Sequence, residues 1–175
     1  TAIKTGSTIT GTANADQITL GAGADIVVLS STLTTQDTVD SFTVTGTPDK
    51  IDINAAASGT GITAGGLTSG VNLNGAGGAA TAISKGMTTI ADNVSGAITA
   101  ASIHAVVTGG ALDLTVTNAD NVVYIAIDNG TDTAIARINA AGDTVIDQGE
   151  ITVLATLTGV SDASALVAAN FVDFS

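Results

Sequence analysis

Gly11-Thr-Ala-Asn-Ala-Asp16-Gln-Ile18-Thr is followed at once by Leu20-Gly-Ala-Gly23-Ala-Asp25-Ile-Val27-Val. Ile9, Ile18 and Val27 fall nine residues apart, and Asp16 and Asp25 each stand two residues ahead of the second and third. A nine-residue step gives one turn and one short strand. The start of the chain is therefore expected to coil, with small residues in the turns and one branched residue per strand pointing into a narrow core.

This is the spacing of a glycine-rich calcium β-roll. The turns need residues that accept left-handed backbone angles, and the aspartates supply carboxylate oxygen to a hard cation. The candidate Ca2+ positions are Asp16 and Asp25, with Gly11, Ala13, Gly21 and Gly23 in the turns beside them, followed by Asp49 and Asp52. Only two steps carry the aspartate, and the preceding one has Ser7 in its place, so one or two ions are expected rather than a long ladder. A pair of ordinary β-turns explains the same aspartates and glycines, which form turns for local reasons. A salt bridge to Lys50 is the corresponding alternative for Asp49 and Asp52.

The steps run on into Asp37-Thr-Val-Asp40-Ser-Phe42 and then Pro48-Asp49-Lys50-Ile51-Asp52-Ile53. In this order, residues 6 to 53 resemble the C-terminal region of bacterial repeats-in-toxin proteins, with nonapeptide turns, an aspartate–phenylalanine strand and an "aspartate, lysine, isoleucine, aspartate" strand. The stretch from Tyr124 to Leu157-Thr-Gly159-Val160 resembles the terminal sheet of some surface-layer members. The closing Phe171-Val172-Asp173-Phe174-Ser175 resembles the tail recognised by type I exporters, although a final edge strand packing its aromatics on the core is the simpler reading. The resemblance implies a secreted, calcium-binding domain at the bacterial cell surface. Its implied partners are the type I secretion machinery, further copies in a homo-oligomer or surface lattice, and a cell-surface polysaccharide. The alternative is a non-catalytic binding module of a secreted adhesin, or the C-terminal module of an enzyme of that family.

Composition bears on the same question. Of 175 residues, 16 are acidic against four lysines and arginines, for a net charge of -12. Such a chain repels nucleic-acid backbones and anionic membranes, since either partner needs a basic patch to displace its counterions. The same charge should expand the chain when calcium is scarce and be partly cancelled when it is abundant. Cysteine is absent, which excludes disulfides and thiolate metal sites. No run of 18 apolar residues could span a bilayer, and the first residues lack the basic and apolar regions of a signal peptide. The aromatics are Phe42, Tyr124, Phe171 and Phe174 alone, so the core must be assembled from Val, Ile, Leu and Ala.

Enzyme signatures are missing: there is no nucleophile elbow, no His-Glu-x-x-His and no phosphate loop with a lysine. His104 has no partner at metal-ligand spacing and reads as a surface or incidental residue. The chain is expected to be non-catalytic. Residues 55–80 carry no charge and alternate glycine with small residues, either as a linker or as thin strands around Leu67, Val71 and Leu73. Ile83, Met87, Ile90, Val94 and Ile98 recur at helical intervals and predict a helix over 82–98, closing an edge of the strand core or serving assembly. Leu112, Leu114 and Val116 alternate with polar residues, Val122–Ile127 form a strong strand, and Asp128-Asn129-Gly130 is a hairpin signal leading to a returning strand over 133–138. A further alternating strand spans Ile151–Thr156, and Ser161 caps a short helix over 162–169. Asp113, Asp120, Asp128, Asp132, Asp143, Asp147 and Glu150 fall in or near turns and are read as solvated, with ion binding as the alternative.

The expected fold is mainly β: a short calcium β-roll leading into an antiparallel sheet or β-sandwich, with one or two accessory helices. Three regions are drawn: 1–54 for the roll and the strands after it, 55–110 for the Gly/Ala/Thr-rich segment, and 111–175 for the meander and tail.

Overall fold

A branched residue between small turn residues needs only enough extended backbone to aim one apolar side chain inward, and the N-terminal strands are accordingly short. The computed structural model describes residues 6–29, 35–53, 67–71, 73, 81–83, 86–109, 113–117, 122–140, 142 and 144–172. Strands β1 (Thr8–Thr10), β2 (Gln17–Thr19), β3 (Ile26–Val28), β4 (Asp37–Asp40) and β5 (Lys50–Asp52) alternate between two sheets. β1, β3 and β5 pair in parallel in one, and β2 and β4 pair in parallel in the other. Thr8 lies opposite Ile26 and Ile26 opposite Lys50, so the chain regains the same sheet after two nine-residue steps and then after a longer excursion. Ile18, Val27, Val39 and Ile51 are buried between the two sheets.

The second half alternates in the same way. Strands β6 (Leu67–Val71), β8 (Met87–Ile90) and β10 (Val122–Asp128) pair in parallel in the larger sheet, while β7 (Thr81–Ile83) and β9 (Leu114–Val116) pair in parallel in a separate one. Only β10, β11 (Thr133–Asn139) and β12 (Ile151–Leu157) form the expected antiparallel meander, with its hairpin over Asp128–Thr133. The larger sheet has seven strands in the order β2-β4-β12-β11-β10-β8-β6, and it takes strands from residues 1–54, 55–110 and 111–175 alike. The strand at Leu114–Val116 thus belongs beside β7, outside the meander.

The helix expected over 82–98 is absent. That stretch holds β7 and β8, with Gly86 at φ 130° and Gly96 at φ 78°, angles outside a right-handed helix. Ile83, Met87, Ile90 and Val94 are all buried, as the periodicity required, but the first three are strand residues and Val94 lies in the loop before α1. β8 is buried at all four residues, Thr88 and Thr89 included, so its apolar Met87 and Ile90 fall three apart and imitate a helical spacing in place of strand alternation. The helix α1 lies just beyond, at Ala100–Gly109. Thr99 caps it: its Oγ1 accepts from the Ser102 amide at 3.1 Å, and the Thr99 amide donates to Ser102 Oγ at 2.8 Å. Ile103 and Val107, one turn apart, form its buried stripe. The short helix over 162–169 is replaced by two 3-10 turns, Ala163–Ala165 and Ala168–Asn170, with extended backbone at Leu166 between them. Single turns of this kind lack the length that helix propagation needs.

Both faces of the seven-stranded sheet are covered. Tyr124, Ala126, Ile135 and Leu157 share a cluster with Val27 and Ile51 on one side; Val123, Ile125, Ile127 and Ile138 share another with Ile83, Leu114, Ile103 and Val107. The segment after β12 also joins the first cluster, through Val160, Ala163, Leu166 and Phe171. Phe171 forms a parallel bridge to Ile51, and the Val172 amide donates to Ile51 O at 3.0 Å. The last described residues therefore lie along β5 as a further rung. Phe174 lies outside the described residues.

Candidate metal centre

Each coil places an aspartate just ahead of, or at the start of, a strand, and the carboxylates stack in two columns. Asp25 Oδ1 accepts from the Ser7 amide at 2.7 Å, and Asp49 Oδ1 accepts from the Asp25 amide at 2.8 Å. In the other column Asp37 Oδ1 accepts from the Asp16 amide at 3.0 Å. Each carboxylate thus reaches back one coil. The second oxygen closes the residue's own turn: Asp16 Oδ2 accepts from the Thr12 amide at 2.5 Å, Asp25 Oδ2 from Gly21 at 3.3 Å and Asp49 Oδ2 from Thr43 at 2.8 Å. Aspartate suits this position because its short chain carries two acceptors that can serve two amides at once.

These contacts link Asp25 to Asp49 in one column and Asp16 to Asp37, which the spacing did not single out, in the other; of the turn residues expected beside the aspartates, Gly21 donates to a carboxylate. Gly23 has φ 114°, so the turn before β3 does require a glycine. Asp25 and Asp49 are fully buried, Asp37 nearly so, and Asp16 and Asp52 partly exposed. The fit to a hard cation is uneven. Both oxygens of Asp25 and of Asp49 already accept amide hydrogens, whereas Asp16 uses only one oxygen in its hydrogen bonds to described residues. A carboxylate offers about four lone-pair positions, so an amide contact leaves room for a cation on the same oxygen. Among the described residues, no group of three or more His, Cys, Asp or Glu side chains is placed to hold a metal. Any ion here would draw on turn carbonyls as much as on carboxylates.

Acidic residues of the second half also serve backbone amides. Asp92 accepts from the Leu73 amide, nineteen residues back. Asp128, read as a solvated turn residue, is 2 % exposed, with Oδ1 accepting from Gly130 and Oδ2 from Ala163, both at 2.8 Å. It fastens the meander hairpin to the segment that follows β12. Asp132 Oδ1 accepts from Gly159 at 2.8 Å. His104, expected at the surface, is half-buried on α1 with Nε2 at 3.1 Å from Ile146 O, a contact that holds the helix to the loop before β12.

Burial pushes the Asp37 carboxyl above its ordinary range, against the opposing pull of the Asp16 amide and together with the negative charge of Asp16. Asp40 moves the other way, held down first by the Thr158 hydroxyl and then by the Gln17 amide. A raised folded-state value means that ionised Asp37 weighs against folding at neutral pH, and that this penalty fades as pH falls through the folded value toward about pH 4. Asp40 contributes stability above about pH 4 that is lost as pH falls through its lowered value. Asp37→Asn keeps the acceptor for Asp16 and removes the charge. It is expected to raise the melting temperature by a few degrees at pH 7, with the gain vanishing near pH 4; an equal gain at both pH values would show that charge burial is not the cause.

Asp37, Asp92 and Asp128 are the functional acceptors that spacing did not single out. Asp37 follows Asp16 by twenty-one residues, so the longer excursion before β4 carries it out of the nine-residue count. Its signal is its position at the head of Asp37-Thr-Val-Asp40, where a polar residue opens a strand and leaves room for Val39 in the core. No family model, curated protein or solved structure matches the chain.

Proposed function

We propose that this chain is a non-catalytic, calcium-binding domain of an exported bacterial surface-layer protein, which carries the export signal and assembles or anchors outside the cell. The observation that carries the reading is the pair of aspartate columns at the coil turns, in register with parallel strands and coupled to the nonapeptide spacing of residues 11–28. The resemblance of residues 6–53 and of the closing residues to secreted repeats-in-toxin proteins supports the exported setting. Stacked carboxylates repel one another along each column, so the coil gains most from a divalent cation where calcium is abundant and least where it is scarce. Asp25, with carbonyls of the Gly21–Gly23 turn, would hold one ion on a site that Asp49 and Asp52 extend, and Asp16, with carbonyls of the Gly11–Ala13 turn, would hold a second in the other column. Among the described residues, no helix is long and apolar enough to cross a membrane.

A calcium titration from chelator-stripped protein, followed by circular dichroism and sedimentation velocity together, tests the reading. The expected result is a gain of β signal with the appearance of ordered multimers. A gain without association would move the reading to a monomeric binding module. No response at millimolar calcium would remove calcium from the function and leave the aspartates as backbone acceptors.

A further inference from the structure

The sheet face that carries the first core cluster is sealed unevenly. Tyr124 stands opposite Arg137 across β10 and β11, and Arg137 stands opposite Thr152 across β11 and β12. Residues paired in this way share a face, and Asn139, two positions beyond Arg137, lies on it too, opposite Val122. Tyr124 and Ile135 are buried there, whereas Val122, Arg137, Asn139 and Thr152 are half-buried. Burial thus thins toward the Val122 and Asn139 end, and Arg137 stands at the margin.

Arg137 makes no side-chain hydrogen bond or ion pair with any described residue, although the chain has 16 acidic residues to offer. Its Nε–H is buried without an acceptor. The two Nη nitrogens are not buried, so the exposure of this half-buried residue includes the outer end of its fork. Drawing a guanidinium partly out of water with none of its five donors satisfied is costly. The stem covers apolar surface, but a methionine would do that without a charge. The Thr152 hydroxyl and the Asn139 amide likewise make no hydrogen bond to a described residue, so three polar side chains share one face with their donors unused.

We propose that Arg137, with Asn139 and Thr152, forms a binding subsite for one carboxylate group of a small hydroxyl-bearing ligand, the chemistry of a hexuronic acid. The end of the fork presents two coplanar Nη donors, which match the two coplanar oxygens of a carboxylate. Thr152 and Asn139 each offer a donor and an acceptor, which suits neighbouring hydroxyls better than a second charge. A single cation has to work against a net charge of -12, and that repulsion grows with every further negative charge on the ligand. A polyanion or a dianion is therefore the wrong occupant, and the same repulsion opposes a second copy of this chain. The inference rests on the surroundings of Arg137 and is independent of the calcium-binding reading.

Sodium galacturonate is titrated into the isotope-labelled chain, both in chelator and in excess calcium, with sodium acetate, galactose and sodium sulfate as comparisons. Resonances of residues 122–124, 137–139 and 152 are followed by NMR. The expected result is a saturable shift with galacturonate confined to this face, a weaker one with acetate and none with galactose. Arg137→Met, which keeps the stem, should weaken galacturonate binding by about tenfold or more and leave the melting temperature unchanged or higher. Thr152→Val should bring galacturonate down to the level of acetate without affecting acetate itself. The proposal is overturned by the absence of a saturable shift under both conditions, by equal binding of sulfate, or by a galacturonate response that survives Arg137→Met. A lower melting temperature in that variant with the response intact would give Arg137 a packing role only. Self-association in chelator that Arg137→Met abolishes would also sink the proposal, since the carboxylate would then come from a second copy. The calcium titration reads the N-terminal coil and this one reads the β10–β12 face, so either can fail alone.

Discussion

Asp49→Ala is expected to destabilise the protein by about 2–6 kcal/mol, since it strips the acceptor from two backbone amides at about 1–3 kcal/mol each. Asp49 is fully buried, and its two oxygens hold the Asp25 and Thr43 amides, both at 2.8 Å. Water cannot readily take its place. Asp49→Asn keeps one acceptor but turns an amino group toward the other amide, so it should recover only part of the loss. Denaturant titrations in chelator and in excess calcium separate the two roles this residue could play. Equal losses under both conditions would mark a backbone acceptor. A loss confined to excess calcium would mark a cation ligand and would sink the hydrogen-bond account given for it.

Phe171→Ala should cost about 3–5 kcal/mol, the range for truncating a buried aromatic side chain. Phe171 is fully buried in the cluster that holds Val27, Ile51 and Leu157, and its backbone forms the bridge to β5. The effect should also travel a long way along the chain. Amide exchange in β3 and β5 is expected to accelerate, although those strands lie more than a hundred residues earlier, because the closing segment is their outer rung. A variant that unfolds with less than about 1 kcal/mol of loss would show that the segment rests on the coil without supporting it. The folded state also buries part of the tail that resembles an export signal, so exporter recognition of residues 171–175 would have to precede folding.

The N-terminal coil was legible because its information is local. Ile18 and Val27 are spaced by the strand repeat, Asp16 and Asp25 each close a turn four residues away, and Asp25 also reaches back to Ser7. The hairpin at Asp128–Thr133 was legible for the same reason, since Asn129 and Gly130 suit the tight turn and both flanking strands are strongly β-forming. The error over 82–98 has the opposite origin. Ile83, Met87, Ile90 and Val94 record burial correctly, yet burial on two faces erases the alternation that would have identified strands. Gly86 and Gly96, at positive φ, lie in the turns before β8 and before α1, where a right-handed helix cannot run. The helix at Ala100–Gly109 was hidden in a run of small residues where only Ile103 and Val107 mark the buried side.

Composition and spacing alone determined a mainly β chain, short strands nine residues apart at its start, a core drawn chiefly from Val, Ile, Leu and Ala, and a net charge of -12. Those properties follow from side-chain size, charge and short-range backbone preference. Tertiary structure decided the rest: that β12 lies between β4 and β11, that β7 and β9 leave the main sheet, and that Phe171 closes the coil begun by β1. It also decided what most of the aspartates do. Which amide a carboxylate meets depends on which coil is stacked beneath it, and a partner eighteen to thirty-five residues away leaves no mark on the spacing around the acid.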